Sequence, residues 1–510
     1  MITLDERRAH GATARSETPR SAHAGWEPTT SRRSPIDLLN EQDTDREPDL
    51  VPVRHGRMAV SPFTFYRGAA KVMAEDLKET PTAGLTVQLC GDAHLTNFGV
   101  FGSPERRLVF DLNDFDETLP GPFEYDVKRM VASFVVAGRD NGFTPAETRA
   151  AALAAVTAYR QAMAQFATQS TMDVWYASLD EDMIIGAIQQ AGKQGSAGKA
   201  VSAGKAVSAG KAVSNGKAGS AGKGSAGKAS TSKAGKGKDD QAKLVRRAEK
   251  QTRLAAAKAR SRDSLSALSK LAEVNEGQYR IVSQPPVVIP VRDLAPELTP
   301  ELLDQLIRSQ FQAYRATLRP DVRHLLDHFE VVDFARKVVG VGSVGTRCFI
   351  VLLQGRDASD PLFLQVKEAT SSVLEAHLPR SRYRQHGQRV VQGQRLMQAT
   401  SDIYLGWTRG MDVSRHFYWR QLRDMKGSVE VTTMTPVGFS MYGQVCGWTM
   451  ARAHARSGDP VAIAAYLGGG DAFDRSIIDF AERYADQNER DHQEFTAAIK
   501  SGQVAAVEGV

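Results

Sequence analysis

A chain of 510 residues with 42% hydrophobic residues can bury a large core, which excludes a fibrous or wholly disordered protein. The formal charge of +6 arises from ten lysines between Lys193 and Lys238. Without those lysines it would be −4, which is not the charge of a basic nucleic-acid-binding domain. Three widely spaced cysteines exclude a disulfide framework, and no apolar run is long enough to span a membrane, so we expect a cytoplasmic protein without a membrane partner.

The first 190 residues divide into two predicted parts. Residues 1–50 are rich in Arg, Ser, Thr and Pro and show little periodicity, which predicts a disordered leader. Residues 51–190 are predicted to form part of a large lobe. Within it, two apolar runs separated by the turn-forming sequence GSPER predict a β-hairpin, and the periodicity after residue 123 predicts long helices.

A Gly/Ser/Lys-rich segment at 191–240 interrupts the chain. Its six-residue repeat, with lysines at Lys199, Lys205 and every sixth position to Lys223, contains too few bulky residues for a packed core. A hexapeptide β-helix would need such residues facing inward, so we predict a flexible insertion. We expect its lysines to make at most weak contacts with nucleic acid.

Three further parts follow this insertion. We predict a helical connecting part at 241–330, a small β-rich lobe at 331–430, to which the motifs described below assign nucleotide binding, and a C-terminal helical part of the large lobe at 431–510. The predicted fold class is therefore α+β, with a mostly helical large lobe and a small lobe rich in strands.

The first motif cluster is GDAHLTNFG followed by VFDLNDFDET. Asp92 and Asn97 have the D-x-x-x-x-N spacing of a kinase catalytic loop, in which the aspartate orients the attacking hydroxyl and the asparagine binds Mg²⁺. Asp111 ends the strand after the predicted hairpin turn, which would return it beside Asn97 as a metal ligand. Asp114 is a further candidate ligand, because crowded carboxylates favour a cation.

The alternative for this first cluster is structural. The acidic residues would then form a solvated turn, and Asp92 would cap a helix. We interpret His94 as an ordinary core residue.

The second motif cluster contains Gly340, Gly342 and Gly345 in a G-x-G-x-x-G pattern. A dinucleotide-binding fingerprint would open a helix, whereas a kinase glycine loop continues into a strand, and the strand-like sequence CFIVLL follows here. The next apolar run, PLFLQVK, ends at Lys367, which has the position of a phosphate-binding lysine. Ser343 could also hold phosphate.

Glu375 lies in the helix-like sequence ATSSVLEAHL and is the candidate ion-pair partner of Lys367. The alternative for Lys367 is a surface lysine on an edge strand.

These two clusters occur in the reverse of the usual kinase order, because the catalytic loop precedes the glycine loop by about 250 residues. A circular permutation would explain the order, since termini that lie close together tolerate it. It predicts that Lys367 and Asp111 lie across one cleft.

Four longer motifs are RMAVSPFTFYRGAA, VQLCGDAHLTNFGVFGSPERRLVFDLNDFDETLPGPFEYDVKR, HGQRVVQGQRLMQATSDIYLGWTR and RQLRDMKGS. Together they resemble the bacterial domain of unknown function 2252 family over about 50–500. The sequence GDAHLTN also resembles the catalytic loop of aminoglycoside and choline kinases, which implies a bilobal protein-kinase-like fold. That second resemblance extends only to Asp92, His94, Asn97 and Asp111.

The expected function is ATP- and Mg²⁺-dependent phosphotransfer to an unknown small molecule or protein. The same site could instead transfer AMP, or bind a nucleotide for regulation without turnover. Metal-dependent hydrolysis by the acidic cluster is a further alternative, but it leaves Lys367 and the glycine loop without a role.

Overall fold

The structure, a computed structural model, describes residues 2–186 and 246–509, except 247–248, 251, 276–277, 295, 298, 423 and 508. The segment 191–240, predicted to be a flexible insertion, lies outside the described residues. Residues 181–186 and 252–260 are helical. The other α-helices, in chain order, are α1 (Leu4–Glu17), α2 (Pro35–Asp43), α3 (Val51–Ala59), α4 (Pro62–Gly68), α5 (Ala70–Leu77), α6 (Phe123–Asp140), α7 (Pro145–Phe166), α8 (Thr171–Tyr176), α9 (Ser264–Leu271), α10 (Val291–Leu294), α11 (Pro300–Arg315), α12 (Pro320–Leu326), α13 (His386–Met397), α14 (Pro436–Ser457), α15 (Pro460–Leu467) and α16 (Ala472–Lys500).

The strands accompany these helices as short antiparallel sheets and one larger sheet. In chain order they are β1 (Thr86–Leu89), β2 (Phe98–Gly102), β3 (Leu108–Leu112), β4 (Leu119–Pro122), β5 (Leu179–Asp180), β6 (Ala272–Asn275), β7 (Gln278–Ile281), β8 (Val288–Pro290), β9 (Glu330–Lys337), β10 (Cys348–Gln354), β11 (Pro361–Ala369), β12 (Gly406–Arg409), β13 (His416–Gln421) and β14 (Gly427–Ser428). The predicted α+β class is confirmed, as is the hairpin of β2 and β3.

The N-terminal segment, predicted to be a disordered leader over 1–50, is folded from residue 2 onward, so that prediction is wrong. Helix α1 begins with a capping box in which the Thr3 hydroxyl accepts a hydrogen bond from Glu6 N. The ring of Trp26 is buried against Phe480 and Tyr484 of α16. Composition could not predict this order, because α15 and α16, far away in the sequence, supply apolar surface on which the segment packs.

The larger sheet has six antiparallel strands in the order β12-β13-β11-β10-β9-β8. The predicted strands CFIVLL and PLFLQVK are confirmed as β10 and β11. Successive side chains of a strand point to opposite faces. One face packs on residues of α11 and α12, and the other packs on α9. Lys367 lies on the central strand β11, opposite Cys348 of β10 and Tyr418 of β13.

The predicted helical connecting part at 241–330 is only partly helical. It also contains β6, β7 and β8, and β8 adds the last strand to the six-stranded sheet by pairing with β9. The short strand β8 follows a proline-rich stretch and lies at the sheet edge, where a strand needs hydrogen bonds on only one side.

The helical part is organised around α6, in which nearly every residue is buried. It packs against α7 and α16, while α14 packs along α7 and contacts β1. This single large core also encloses β1 to β4 and thereby fixes the segment that carries Asp92. Within the described part of the chain, no helix is both long and apolar enough to cross a membrane.

Candidate functional site

The loop after β1 is held by backbone contacts that leave little room for variation. Cys90 N and Gly91 N donate to the two carboxylate oxygens of Asp126, at 2.7 and 3.0 Å. Gly91 has φ +83°, and a Cβ there would lie 2.3 Å from the carbonyl oxygen of Glu117. Only glycine satisfies both the positive φ and the close approach, so the sequence places Asp92 next to the acidic turn.

Asp92 lines a cleft and has one carboxylate oxygen already engaged. Arg129 of α6 donates to Oδ1 through Nε at 2.9 Å and Nη2 at 2.6 Å, and Nη2 also donates to Tyr66 O at 2.9 Å. The other oxygen, Oδ2, lies 3.7 Å from His94 Nε2 and accepts no hydrogen bond from any described residue. Oδ2 of Asp92 can therefore accept a hydrogen bond from a hydroxyl group in the cleft while Oδ1 keeps its hydrogen bonds to Arg129.

His94 and Asn97 complete this loop. Asn97 Nδ2 donates to the backbone oxygen of Asp92 at 2.6 Å, which orients the amide so that its oxygen remains for another partner. His94 is buried, and burial lowers the pKa of its imidazole well below the ordinary value, with help from the charges of Arg67 and Arg129. A neutral, packed His94 agrees with its interpretation as a core residue.

Asp111 does not lie in the cleft, contrary to its prediction as a metal ligand. Its side chain is buried, pairs with Arg452 of α14, and accepts a hydrogen bond from Ala399 N at 2.8 Å. Burial raises the pKa of Asp111, although Arg452 opposes the shift. The predicted meeting of Lys367 and Asp111 across a cleft is therefore wrong. Asp111 still belongs to β3, and the chain enters the cleft only after the strand ends.

Asp114 and Asp116, just beyond β3, contact Lys367 instead. Lys367 Nζ lies 2.6 Å from Asp116 Oδ2 and 3.9 Å from Asp114 Oδ1. Burial lowers the pKa of Lys367, but the two carboxylates outweigh it and hold that pKa well above its usual value. Tyr418 OH donates to Asp116 Oδ1 at 2.6 Å. A fixed cation thus lies beside two carboxylates from a distant part of the sequence.

The pKa values of the two carboxyl groups are shifted in opposite directions. Burial and the charge of Asp116 raise the pKa of Asp114. Burial also acts against ionisation of Asp116, but Lys367 and Tyr418 overcome it and lower that pKa. Asp116 is thus the ionised partner of Lys367, whereas Asp114 would gain from a further cation.

The glycine loop between β9 and β10 is held by hydrogen bonds from residues 47 and 57, which lie early in the chain. Gly340 O accepts a hydrogen bond from Arg57 Nη1 at 2.7 Å, and Gly345 O accepts one from Glu47 N at 2.8 Å. Gly340 and Gly345 have φ values of +72° and +89°, which favour glycine. Ser343 Oγ lies 3.5 Å from Lys367 Nζ, so the loop and the lysine share one part of the cleft.

Gly342 packs closely on α4, because a Cβ there would lie 3.0 Å from Arg67 O. Arg46 donates to the carbonyl oxygen of Val344. The contact of Arg46 could not be predicted, because residues 1–50 are predicted to be disordered.

Glu375, predicted to pair with Lys367, lies on a 3₁₀ turn (Val373–Ala376) at the cleft edge. Its nearest cation is Arg389, at 3.9 Å, and Lys367 is paired with Asp116, so the predicted ion pair is wrong. Glu117 lies nearby and accepts a hydrogen bond from Val373 N at 2.7 Å. Burial raises the pKa of Glu117 to about 7.

Two comparisons found no match: none with curated proteins and none with solved structures. A family model described as "Uncharacterized protein conserved in bacteria (DUF2252)" matches residues 46–224 and 221–498. The chain belongs to the DUF2252 family. The family description states no activity, so the chemistry of this DUF2252 site must be argued from its residues.

The cleft of this DUF2252 chain has a volume of about 1270 Å³. It brings together the predicted residues Asp92, Asn97, Asp114, Gly340, Gly342, Ser343 and Glu375, with Lys367 bonded to Asp116 at its wall. Gly345 lies behind the loop, against the side chain of Arg46. Asp111, a predicted metal ligand, does not line the cleft.

No three His, Cys, Asp or Glu side chains in the described ranges are arranged to hold a metal ion by themselves. Mg²⁺ nevertheless often binds one or two carboxylates and completes its shell with substrate phosphates and water. The amide nitrogen of Asn97 bonds to Asp92, so its amide oxygen remains for another partner, and Asp114 lines the same cleft. Asn97 and Asp114 thus offer an amide oxygen and a carboxylate, which are oxygen donors of the kind that Mg²⁺ prefers.

Proposed function

We propose that this protein is an ATP- and Mg²⁺-dependent phosphotransferase that acts on a hydroxyl group of an acceptor molecule. The observation that carries the proposal is the 2.6 Å contact between Lys367 and Asp116, residues 251 positions apart. It brings a glycine loop, a lysine on a strand and an acidic turn to one cleft that also contains Asp92 and Asn97. Phosphoryl transfer depends mainly on such positioning and charge neutralisation.

The order of elements supports a circularly permuted, bilobal protein-kinase-like fold. The glycine loop is followed by β10, β11 with Lys367, α13, β12, β13 and then α14. In ordinary kinases the catalytic loop would come next, whereas here it lies near the N-terminus. Helix α14 still contacts this region, because His454 Nε2 lies 3.3 Å from Asp126, which holds the loop before Asp92.

Each residue has a distinct role in the proposed reaction. ATP with Mg²⁺ would supply the γ-phosphoryl group, and Asn97 and Asp114 would hold the metal. Lys367 and the glycine loop would hold the phosphates. Oδ2 of Asp92 would accept the proton of the acceptor hydroxyl. The hydroxyl oxygen of the acceptor would then bond to the γ-phosphorus as the bond between that phosphorus and the ADP oxygen breaks.

A second candidate, nucleotide binding for regulation without turnover, is favoured by the pairing of Asp92 with Arg129. Arg129 holds Oδ1 of Asp92 with two hydrogen bonds and thereby ties the loop to α6. Asp92 would then be a structural partner of α6 rather than a base.

The two candidates are separated by binding and turnover measured on the full chain. We expect ATP with Mg²⁺ to raise the melting temperature, with the stabilisation approaching about 2.7 kcal/mol at 100 times the dissociation constant. Lys367→Met and Asp114→Asn should each abolish the shift. Lys78→Met is the matched control, because Lys78 lines the cleft edge but pairs with Glu75.

Labelled ATP then identifies the reaction. Label from the γ-phosphate of ATP in hydrolysis or transfer products supports phosphotransfer if Asp92→Asn no longer forms those products. Label from the α-phosphate in a product would indicate AMP transfer instead. Binding without either product supports the regulatory candidate. Absence of any nucleotide-dependent shift would reject both.

A further inference from the structure

Arg67 differs from the arginines of the protein core in that no described residue bonds to any of its guanidinium nitrogens. It lies in the last turn of α4 and lines the cleft. Its Nε atom is buried without a hydrogen-bond partner, and its guanidinium makes no hydrogen bond or ion pair with any described residue. A guanidinium carries five N–H donors, so Arg67 presents to the cleft donors that no described residue satisfies.

The buried arginines Arg54 and Arg389 also have an Nε atom without a hydrogen-bond partner, but their Nη atoms are bonded. Arg54 donates to Asp43, Gln42 and the Gly68 carbonyl, each at 2.9 Å. Arg389 donates to three backbone oxygens at 2.7 to 2.8 Å. The protein thus supplies partners for arginines that serve structure, and Arg67 lacks them.

The position of Arg67 is fixed by its neighbours rather than by its own side chain. The adjacent Tyr66 O accepts a hydrogen bond from Arg129, which also holds Asp92, and the adjacent Gly68 O accepts one from Arg54. The backbone oxygen of Arg67 itself lies against Gly342 of the glycine loop. Its guanidinium is therefore presented to the cleft by a rigid backbone.

A shared hydrogen-bond donor places Arg67 near Asp92. Arg129 Nη2 donates both to Asp92 Oδ1 and to the carbonyl oxygen of Tyr66, the residue before Arg67. The charges agree with this position, because the charge of Asp92 opposes the desolvation that lowers the pKa of Arg67, and Arg67 in turn lowers the pKa of His94. Arg67 thus lies beside the residue assigned to the acceptor.

We infer that Arg67 binds an anionic group, a phosphate or a carboxylate, of a small acceptor molecule. This inference rests on the proposed function, because it identifies the acceptor class of the same site. A guanidinium matches the planar geometry of carboxylate and phosphate oxygens and binds either through paired hydrogen bonds. At the cleft edge, Arg380 and Arg384 are exposed and have no carboxylate partner among the described residues, which favours entry of an anion.

The test uses inorganic phosphate and acetate as probes on the full chain saturated with Mg²⁺ and a non-hydrolysable ATP analogue. The analogue fills the γ-phosphate position, so an added anion must bind elsewhere. Ionic strength is held constant with chloride. We expect a saturable rise in melting temperature with phosphate, acetate or both, and at least tenfold weaker anion binding in Arg67→Gln.

Arg67→Lys should retain part of the anion effect, and the dissociation constant of the analogue should change less than twofold in both variants. Arg139→Gln is the charge-matched control, because Arg139 pairs with Asp486 and Glu489 away from the cleft. If Arg67→Gln fails to fold, Arg67→Lys and the Arg139 control still measure the anion effect.

Two results would overturn the inference: no effect of either anion on the analogue-bound wild type, or equal weakening of analogue and anion by Arg67→Gln. The second would place Arg67 in the nucleotide site. If the analogue does not bind at all, the proposed function fails by itself, and an Arg67-dependent shift with phosphate alone would still support the anion site.

Discussion

Asp111 and Arg452 form an ion pair in the protein interior, with both side chains 1% exposed. The pair joins β3 to α14, so two segments far apart in sequence depend on it. Removing one member of such a pair leaves an uncompensated buried charge, which costs about 3–5 kcal/mol. We expect Asp111→Ala to lower the free energy of unfolding, measured in urea, by about that amount.

The double variant Asp111→Leu with Arg452→Met should recover part of the loss, because it removes both charges and preserves apolar volume. A fully stable Asp111→Ala protein that no longer binds Mg²⁺ and nucleotide would contradict this structural role.

The positive φ of Gly91 and its contact with Glu117 O predict a large effect of adding one methyl group. In Gly91→Ala the Cβ would have to occupy space 2.3 Å from a backbone oxygen. Gly84→Ala is the matched control, because Gly84 has φ +71° but open space around the position of a Cβ. The control should lose about 1–2 kcal/mol from the backbone conformation alone, and Gly91→Ala should lose clearly more. Equal melting temperatures of the two variants would argue against the tight packing of this loop.

Glu117 should make stability depend on pH in a defined direction. Its folded-state pKa of about 7 lies above the ordinary value of 4.5, so the folded chain holds a proton that the unfolded chain has lost between those pH values. The contribution is therefore present at low pH and is lost as the pH rises towards 7. We expect melting temperatures between pH 5 and 8 to fall less steeply in Glu117→Gln than in the wild type. Parallel profiles would show that Glu117 titrates normally.

Trp26 tests the folded N-terminal segment. It is 6% exposed, whereas Leu4 of the same segment is 54% exposed. Truncation of a buried tryptophan costs about 3–5 kcal/mol, so Trp26→Ala should lower the melting temperature strongly and Leu4→Ala should have little effect. A disordered leader would instead tolerate both changes, and calorimetry of the two variants distinguishes the cases.

Local sequence patterns predicted the strands β10 and β11 and the hairpin of β2 and β3. They also singled out Asp92 and Asn97, which line the cleft, and Lys367, which contacts the cleft residue Asp116. Strand alternation and turn residues carry that information within a few positions. Local patterns could not show which of Asp111 and Asp114 faces the cleft, because this depends on where β3 ends and on Arg452 in α14.

The partner of Lys367 was likewise not predictable from spacing. Asp116 is 251 residues away, and Glu375, the nearer candidate, is held at the cleft edge by its own turn. The order of residues 2–50 was missed for a related reason, since the surfaces that bury Trp26 belong to α16.

The distance in sequence between Asp116 and Lys367 also affects how the protein is made. Ribosomes add roughly 5–20 residues per second, so the acidic turn would emerge on the order of 10–50 s before its lysine. During that interval the two carboxylates repel each other without their cation. The cleft can therefore form only late in synthesis, and a chain released early would carry the Asp92 loop without Lys367 and the glycine loop.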